Sequence, residues 1–354
     1  MIKNIIFTKN YYKEYCKEYL KGFLKTERSK EDRPYKDIGI LNTAIGTANL
    51  GDLIIYDSVY KNLRKVYPND LFTDYPTHLH TKFDTMSLMR KKDFLFVSGT
   101  NLLSSNLETR YQWKIHNGHK SYIKNKVVLV GCGWWQYQGK INNYTKGIYK
   151  TIFNKDVLHS VRDQYTLDKL KSIGIENVVN TSCPTLWSLT PEKCKGVPQS
   201  KGDEVITTLT FYNQNASLDF KMLEILSINY KKVHLWIQGM DDVHYYNEIK
   251  GSLNNIELIP PTIEAYNEVL QKPNIDYIGT RLHAGIRALQ NNVRTLILAV
   301  DNRALEIGKD VNLNVIKRED VEDTISFIEN DYVTNIRLPQ ENIDRWIDSL
   351  LLNK

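Results

Sequence analysis

The chain has 354 residues, 42% of them hydrophobic and 25% charged, with a formal net charge of +6 at pH 7. That length accommodates two domains with separate cores, and ordinary apolar and charged fractions exclude disordered and fibrous classes. The positive excess is spread along the chain rather than gathered in a basic arm. This argues against nucleic acid as a partner and leaves an anionic substrate or an anionic membrane surface.

The N-terminal stretch "MIKNIIFTKNYYKEY" has too short an apolar run for a signal peptide, and no segment approaches bilayer-spanning length. Cys16, Cys132, Cys183 and Cys194 form no CxxC pair and no zinc spacing. A reducing, cytoplasmic setting is expected, with the inner face of the cell membrane as an option.

Strands are predicted over 38–41, 94–97, 127–130, 158–161 and 178–179, most followed by glycine or polar loops. Between them "DLIIYDSVYKNLRKV" repeats Ile55, Val59, Leu63 and Val66 at helical spacing. A second helix, "DQYTLDKLKSIGI", places Leu167, Leu170 and Ile173 on one face, with Gly174 as its stop. The polar stretch "LTPEKCKGVPQSKGDE" then reads as a linker. The expected division is a domain over 1–190, a linker over 191–202, a domain over 203–335 and a C-terminal helix over 336–354.

Past the linker the alternation resumes. Strands "VITTLTFY", "KVHLWIQG", "IELIP", "NIDYIG", "TLILAV" and "NVI" interleave with helices "LDFKMLEILSIN", around 243–253, "TIEAYNEVLQ", from 283 onward, "RALEIGK" and "VEDTISFIEN". An amphipathic "ENIDRWIDSLLL" closes the chain. Such alternation predicts an α/β fold with two doubly wound, Rossmann-like domains facing a cleft, and ligands at the carboxyl ends of the strands.

The strongest candidate site is "YIGTRLHAGIRALQ", 277–290. Arg281 falls at a helix entrance, where free N–H groups and the dipole already attract anions, and its planar fork suits carboxylate or phosphate. His283 lies one step away and titrates near neutrality, while Arg287 shares its helical face. A surface arginine and a histidine capping a buried carbonyl is the plainer alternative.

In "TAIGTANLGDLIIYDSV", Gly46 and Gly51 let the backbone approach a ligand, and Asp52 is placed to cap the following helix. The stretch matches neither a dinucleotide fingerprint nor a P-loop. Arg162 follows a strand in "HSVRDQYTLDKL" as a second anion grip or half of a surface Arg–Asp pair, with Asp163 as a cap. Glycine turns in "VSGTNLL", with Gly99, and "VGCGWWQYQG" let amides line a pocket. There Trp134, Trp135 and Tyr137 offer faces for a sugar ring, although aromatics more often serve a core. His78 and His80, and His116 and His119, lack carboxylates at ligand spacing, so no metal is expected. No GxSxG or Cys–His signature points to a nucleophilic enzyme.

Taken together, "NLGDLIIYDSV", "SGTNLLS", "VGCGW", "SVRDQYTLDKLKSIGI" and "PPTIEAYNEVLQKPNIDYIGTRLHAGIRALQNNVRTLILAVDNR" resemble the polysaccharide pyruvyl transferase family. They stand in the family's order across most of 38–310, and the R-x-H after a strand is its signature. The resemblance implies a GT-B-like pair of Rossmann-type domains with phosphoenolpyruvate in the cleft. The amino-terminal domain would face the acceptor and the carboxy-terminal one the donor. The product would be a pyruvate ketal on a sugar of a surface polysaccharide or its lipid-linked precursor, with no cofactor. It carries the family's arginines onto Arg162 and Arg281, its histidine onto His283 and its Gly-Asp onto Gly51 and Asp52. Arg303, in "DNR", stands where many members have lysine. His283 is then the expected acid and Asp52 an acceptor-side base. Arg162, Arg281, Arg287, Arg303, Gly51 and Gly99 would hold the donor; Trp134, Trp135 and Tyr137 the acceptor. Two other readings share the architecture: a nucleotide-sugar glycosyltransferase with Glu306 on a ribose, and a non-catalytic glycan binder.

Overall fold

The computed structural model describes residues 33–109 and 112–353; Cys16 and the opening stretch lie outside the described residues. Among these described residues, β1 (Asp37–Asn42), β2 (Leu71–Pro76), β3 (Phe94–Ser98) and β4 (Val127–Val130) form a parallel sheet in the order β2-β1-β3-β4. β5 (His159–Val161) and β6 (Val178–Asn180) pair in parallel and adjoin β4 through a bridge between Cys132 and Val161. The second sheet contains β7 (Glu204–Thr207), β8 (Lys232–Trp236), β9 (Ile256–Ile259), β10 (Ile275–Gly279), β11 (Arg294–Ala299) and β12 (Val315–Lys317). Its order is β12-β11-β10-β7-β8-β9, again all parallel.

The amino-terminal lobe carries helices α1 (Leu50–Val66), α2 (Phe83–Arg90), α3 (Asn143–Ile152) and α4 (Gln164–Lys171). After the short α5 (Pro191–Lys195) come α6 (Ala216–Asn229), α7 (Met240–Ile249), α8 (Ile263–Val269), α9 (Leu282–Gln290), α10 (Asn302–Val311) and α11 (Asp323–Glu329), then α12 (Gln340–Leu351). Each sheet is covered on both faces, which is why strands such as "VVLV" are apolar and buried throughout. The fold is the two-lobed, Rossmann-like α/β arrangement that the alternation predicts.

Both sheets reverse their direction of winding partway. From β7 the chain works outward to β8 and β9, then restarts at β10 on the other side of β7. The first sheet does the same between β1 and β3. Loops leaving the strands diverge at these places and open a crevice, which is where α/β sheets hold ligands.

Several elements differ from the sequence reading. β2 was not foreseen: it is an edge strand, half exposed, whose "LFTDYP" lacks the apolar run of its neighbours. The strand read over 205–212 stops at Thr207, and Phe211–Asn213 form a 3-10 turn. Within the stretch read as a linker, Thr190 caps α5 and Pro191 starts it, while Cys194 and Val197 are buried. The carbonyl of Gln199 accepts from Arg294 Nε at 2.8 Å and from the Tyr332 amide at 2.9 Å, so this segment is fastened to the carboxy-terminal lobe.

α12 returns to the amino-terminal lobe. Trp346 and Leu350 enter its core, and the Trp346 ring lies 5.5 Å from that of Trp187. The chain thus passes between lobes twice, after β6 and after α11. Ile54, Leu186 and Leu189 share a core with Leu282 and Ile286, so apolar packing is continuous across the lobe junction.

Candidate active site

The restart at β10 brings "TRLH" to the crevice. The Arg281 amide donates to Thr208 Oγ1 at 3.2 Å and its backbone occupies the N-cap position of α9. Its side chain is 3% exposed. Nε donates to the Leu209 carbonyl at 2.8 Å and Nη2 to Asp242 Oδ1 at 2.6 Å. Asp242, in the first turn of α7, is itself held by the Gly239 amide at 3.0 Å. Nη1 is buried with no hydrogen-bond partner. A buried cation held on two sides and unsatisfied on the third is a prepared anion contact.

Arg281 lines a small cavity, about 20 Å³, together with Asn49, Tyr212, Gln238, His283, Asp301 and Arg303. Asn49 comes from the amino-terminal lobe, so the cavity sits at the junction. The Tyr212 ring lies 4.9 Å from the Arg281 guanidinium and its hydroxyl accepts from Arg303 Nη2 at 2.6 Å. Arg303 also spans the Asp301 carboxylate, with Nε at 3.0 and 2.9 Å from its two oxygens. Burial acts to raise the Asp301 carboxyl, and the Arg303 guanidinium more than offsets this, holding it below the usual range.

His283, in the first turn of α9, is 6% exposed. Burial, then the charges of Arg303 and Arg162, push its imidazole down to about 3 against a weaker pull from Asp301. The ring is therefore neutral near neutral pH. Nε2 lies 3.7 Å from Cys183 Sγ, which in turn accepts from Thr185 Oγ1 at 3.1 Å. Arg162 stands behind this group rather than on the cavity wall: it is buried, with Nε on Asp163 Oδ2 at 3.1 Å and Nη2 on Asn101. Asp163 caps α4, accepting from the Thr166 amide at 2.7 Å.

Asp52 is not the cap of α1. Asn49 is, its Oδ1 accepting from the Gly51 amide at 3.1 Å. Asp52 instead lies buried beneath the crevice, accepting from Thr47 Oγ1 at 2.6 Å and Thr100 Oγ1 at 3.1 Å. Burial raises its carboxyl, while those hydroxyls, His78 and Arg303 temper the rise. The amides of Gly51 and Gly99 are spent internally, the latter on the Val97 carbonyl at 2.9 Å, so neither is free to grip a donor. Gly51 has a different use: a Cβ there would sit 2.8 Å from Gln238 Nε2, so a larger residue would push the Gln238 amide from its place.

Two further expectations are corrected. Arg287 does not reach the cavity, because its Nε donates to Asn267 Oδ1 at 2.9 Å and its Nη1 to Gln290 Oε1 at 3.2 Å. Trp134 is core, 1% exposed, with Nε1 on Gln138 at 2.9 Å, so no sugar can stack on it. Trp135 is half-buried, and Tyr137 is exposed, its hydroxyl donating to Glu306 Oε1 at 2.5 Å across the junction. His78 Nδ1 lies 2.9 Å from Thr77 Oγ1, and the His116 and His119 rings lie 3.8 Å apart, tilted by 36°. Among the described residues no His, Cys, Asp or Glu trio is grouped to hold a metal ion.

Sequence reasoning missed Asn49, Tyr212, Gln238, Asp242 and Asp301. Tyr212 had been absorbed into a strand. Asp242 and Asp301 fall just before the helices read from the sequence, and neutral Asn49 and Gln238 carry no charge signal.

A family model described as polysaccharide pyruvyl transferase matches residues 49–302. None of the curated proteins matches the chain. Among solved structures, UDP-GlcNAc 2-epimerase from Methanocaldococcus jannaschii, in complex with UDP-GlcNAc and UDP, superposes with a TM-score of 0.50 at 14% identity. That match covers 89% of this chain and 98% of the other. UDP-N-acetylglucosamine 2-epimerase from Rickettsia bellii gives 0.49 at 12% identity, over 91% and 95%. Identities this low speak for the fold alone.

Proposed function

This chain belongs to the polysaccharide pyruvyl transferase family, and from that membership we propose that it transfers a pyruvyl group from phosphoenolpyruvate to two hydroxyls of one sugar. The product is a cyclic ketal on a surface polysaccharide or its lipid-linked precursor. The observation that carries this reading is the unsatisfied, buried Nη1 of Arg281 beside Arg303 and His283 in one cavity. Phosphoenolpyruvate bears a carboxylate and a phosphate on one carbon, and paired guanidinium groups in a dry crevice meet that charge better than ammonium groups.

The reaction begins with a proton placed on the methylene carbon, for which His283 is the acid. The central carbon becomes oxocarbenium-like and a sugar hydroxyl oxygen bonds to it. The C–O bond to phosphate then breaks, its electron pair leaving on the phosphate. A second hydroxyl closes the ring. Of the two hydroxyl hydrogens released, one replaces the proton on His283 and the other departs with phosphate. The ring, held neutral chiefly by burial and then by Arg303 and Arg162, acquires its proton as the donor brings negative charge beside it. Asp52, its carboxyl raised by burial, is assigned to the acceptor side, and Trp135 and Tyr137 to the sugar. A lipid-linked acceptor would put the reaction at the cytoplasmic face of the membrane.

The test is incubation with labelled phosphoenolpyruvate and candidate glycans, scored by inorganic phosphate released and label gained by the glycan. Nucleotide released from a sugar nucleotide instead would replace this reading with glycosyl transfer. The Glu306 carboxylate proposed there for a ribose is already taken by Tyr137 and Lys309. Release from neither donor would leave glycan binding.

A further inference from the structure

Gln238 follows β8 and is 2% exposed on the cavity wall. Its Nε2 donates to Asn49 Oδ1 at 2.6 Å. Asn49 Oδ1 also accepts from the Gly51 amide, which fixes that atom as oxygen, so the Gln238 atom facing it must be nitrogen. The other terminal atom, Oε1, is buried with no donor to accept from. The Gln238 carbonyl is held by the Leu50 amide at 3.0 Å, and the side chain rests where Gly51 lacks a Cβ.

Two residues that line the cavity therefore each carry a buried atom without a partner, a cationic donor at Arg281 Nη1 and a neutral acceptor at Gln238 Oε1. Hydrogen phosphate can satisfy both, an anionic oxygen accepting from Nη1 and its hydroxyl donating to Oε1. We infer that Gln238 is a specificity-determining residue that selects a hydrogen-bearing phosphate oxyanion. Sulfate, equal in shape and charge but without an O–H near neutral pH, leaves Oε1 facing a lone pair. This rests on reading the cavity as the donor site, but its test needs no turnover. In the proposed reaction the ester phosphate lacks that hydrogen at neutral pH and the departing phosphate has it. When the C–O bond breaks, its electron pair stays on the bridging oxygen, which takes the sugar hydroxyl's hydrogen and donates it to Oε1 in a hydrogen bond. The contact thus strengthens along the reaction, as a contact that promotes turnover must.

Calorimetric titration of sodium phosphate and sodium sulfate into the wild-type chain and Gln238→Met at neutral pH decides the matter. Wild type should bind phosphate about tenfold or more tighter than sulfate, and the methionine variant should bind both alike. Should that variant fail to fold, Gln238→Glu keeps an acceptor at the position and should retain the phosphate preference with weaker binding of both anions. Wild type binding neither anion or both equally, a preference surviving in the methionine variant, or one lost in the glutamate variant would each overturn the inference. Phosphoenolpyruvate turnover without phosphate preference sinks this claim and leaves the reaction standing. Preference without turnover does the reverse.

Discussion

Arg281 has two jobs that substitution separates. It neutralises the buried Asp242, and it offers Nη1 to the cavity. Arg281→Ala strands Asp242 and should cost about 3–5 kcal/mol of stability, read from denaturant midpoints. Arg281→Lys keeps a charge near Asp242 but loses the fork, so the fold should persist while phosphoenolpyruvate binding weakens by about one to two orders of magnitude. His283 yields a separate expectation. Because burial and the neighbouring guanidinium groups hold its ring neutral, donor binding at neutral pH should take up a proton, seen as a binding enthalpy that depends on the buffer. His283→Gln should abolish that dependence along with most turnover; an uptake unchanged in the variant removes His283 from the acid role. At this scale the sequence was legible where residues carry charge beside a strand end, as at Arg281, His283 and Arg303. It was opaque at Gln238 and Asn49, whose meaning lies in which of their atoms lacks a partner, a property of tertiary packing. Trp134 failed for the opposite reason: an aromatic beside a glycine turn looks alike whether it faces a sugar or a core.

The elements that place these residues are mostly strands buried on both faces, and those announced themselves. β3 and β4 appear where unbroken apolar runs predicted them, and α1 where Ile55, Val59 and Leu63 recur. The half-exposed β2 and the clamped stretch around α5 did not, because an edge needs less apolar surface and a polar sequence can still be fastened by its backbone. α9 must lie close to β11 for Arg281 and His283 to reach the crevice. A Cβ on Gly285 would stand 2.6 Å from Ile297 Cγ1. Gly285→Ala should therefore cost about 1–3 kcal/mol through overpacking, visible as a lowered denaturant midpoint with an unchanged slope.

The whole molecule carries a stability term set by acidity. His119 and His283 are pushed down to about 3 and His159 to about 4, each chiefly by burial. Their unfolded values lie near the ordinary histidine value of about 6.5. Between the folded and unfolded values the unfolded chain binds more protons, so stability is full above about pH 6.5 and falls as the medium is acidified below it. The melting temperature should decline from about pH 7 to pH 5, and His159→Gln, outside the cavity, should flatten part of that slope. A slope that His159→Gln leaves untouched would assign acid sensitivity elsewhere.

The return of α12 to the amino-terminal lobe has a mechanical meaning. Two strands of chain joining two bodies define a line, and the bodies can swing about that line without twisting freely around either strand. Any widening of the crevice must also break the hydrogen bond between Gln238 and Asn49, which ties the two lobes together. Severing one tether by proteolysis would turn a door into a swivel: the separated surfaces would survive, but their shared register would not.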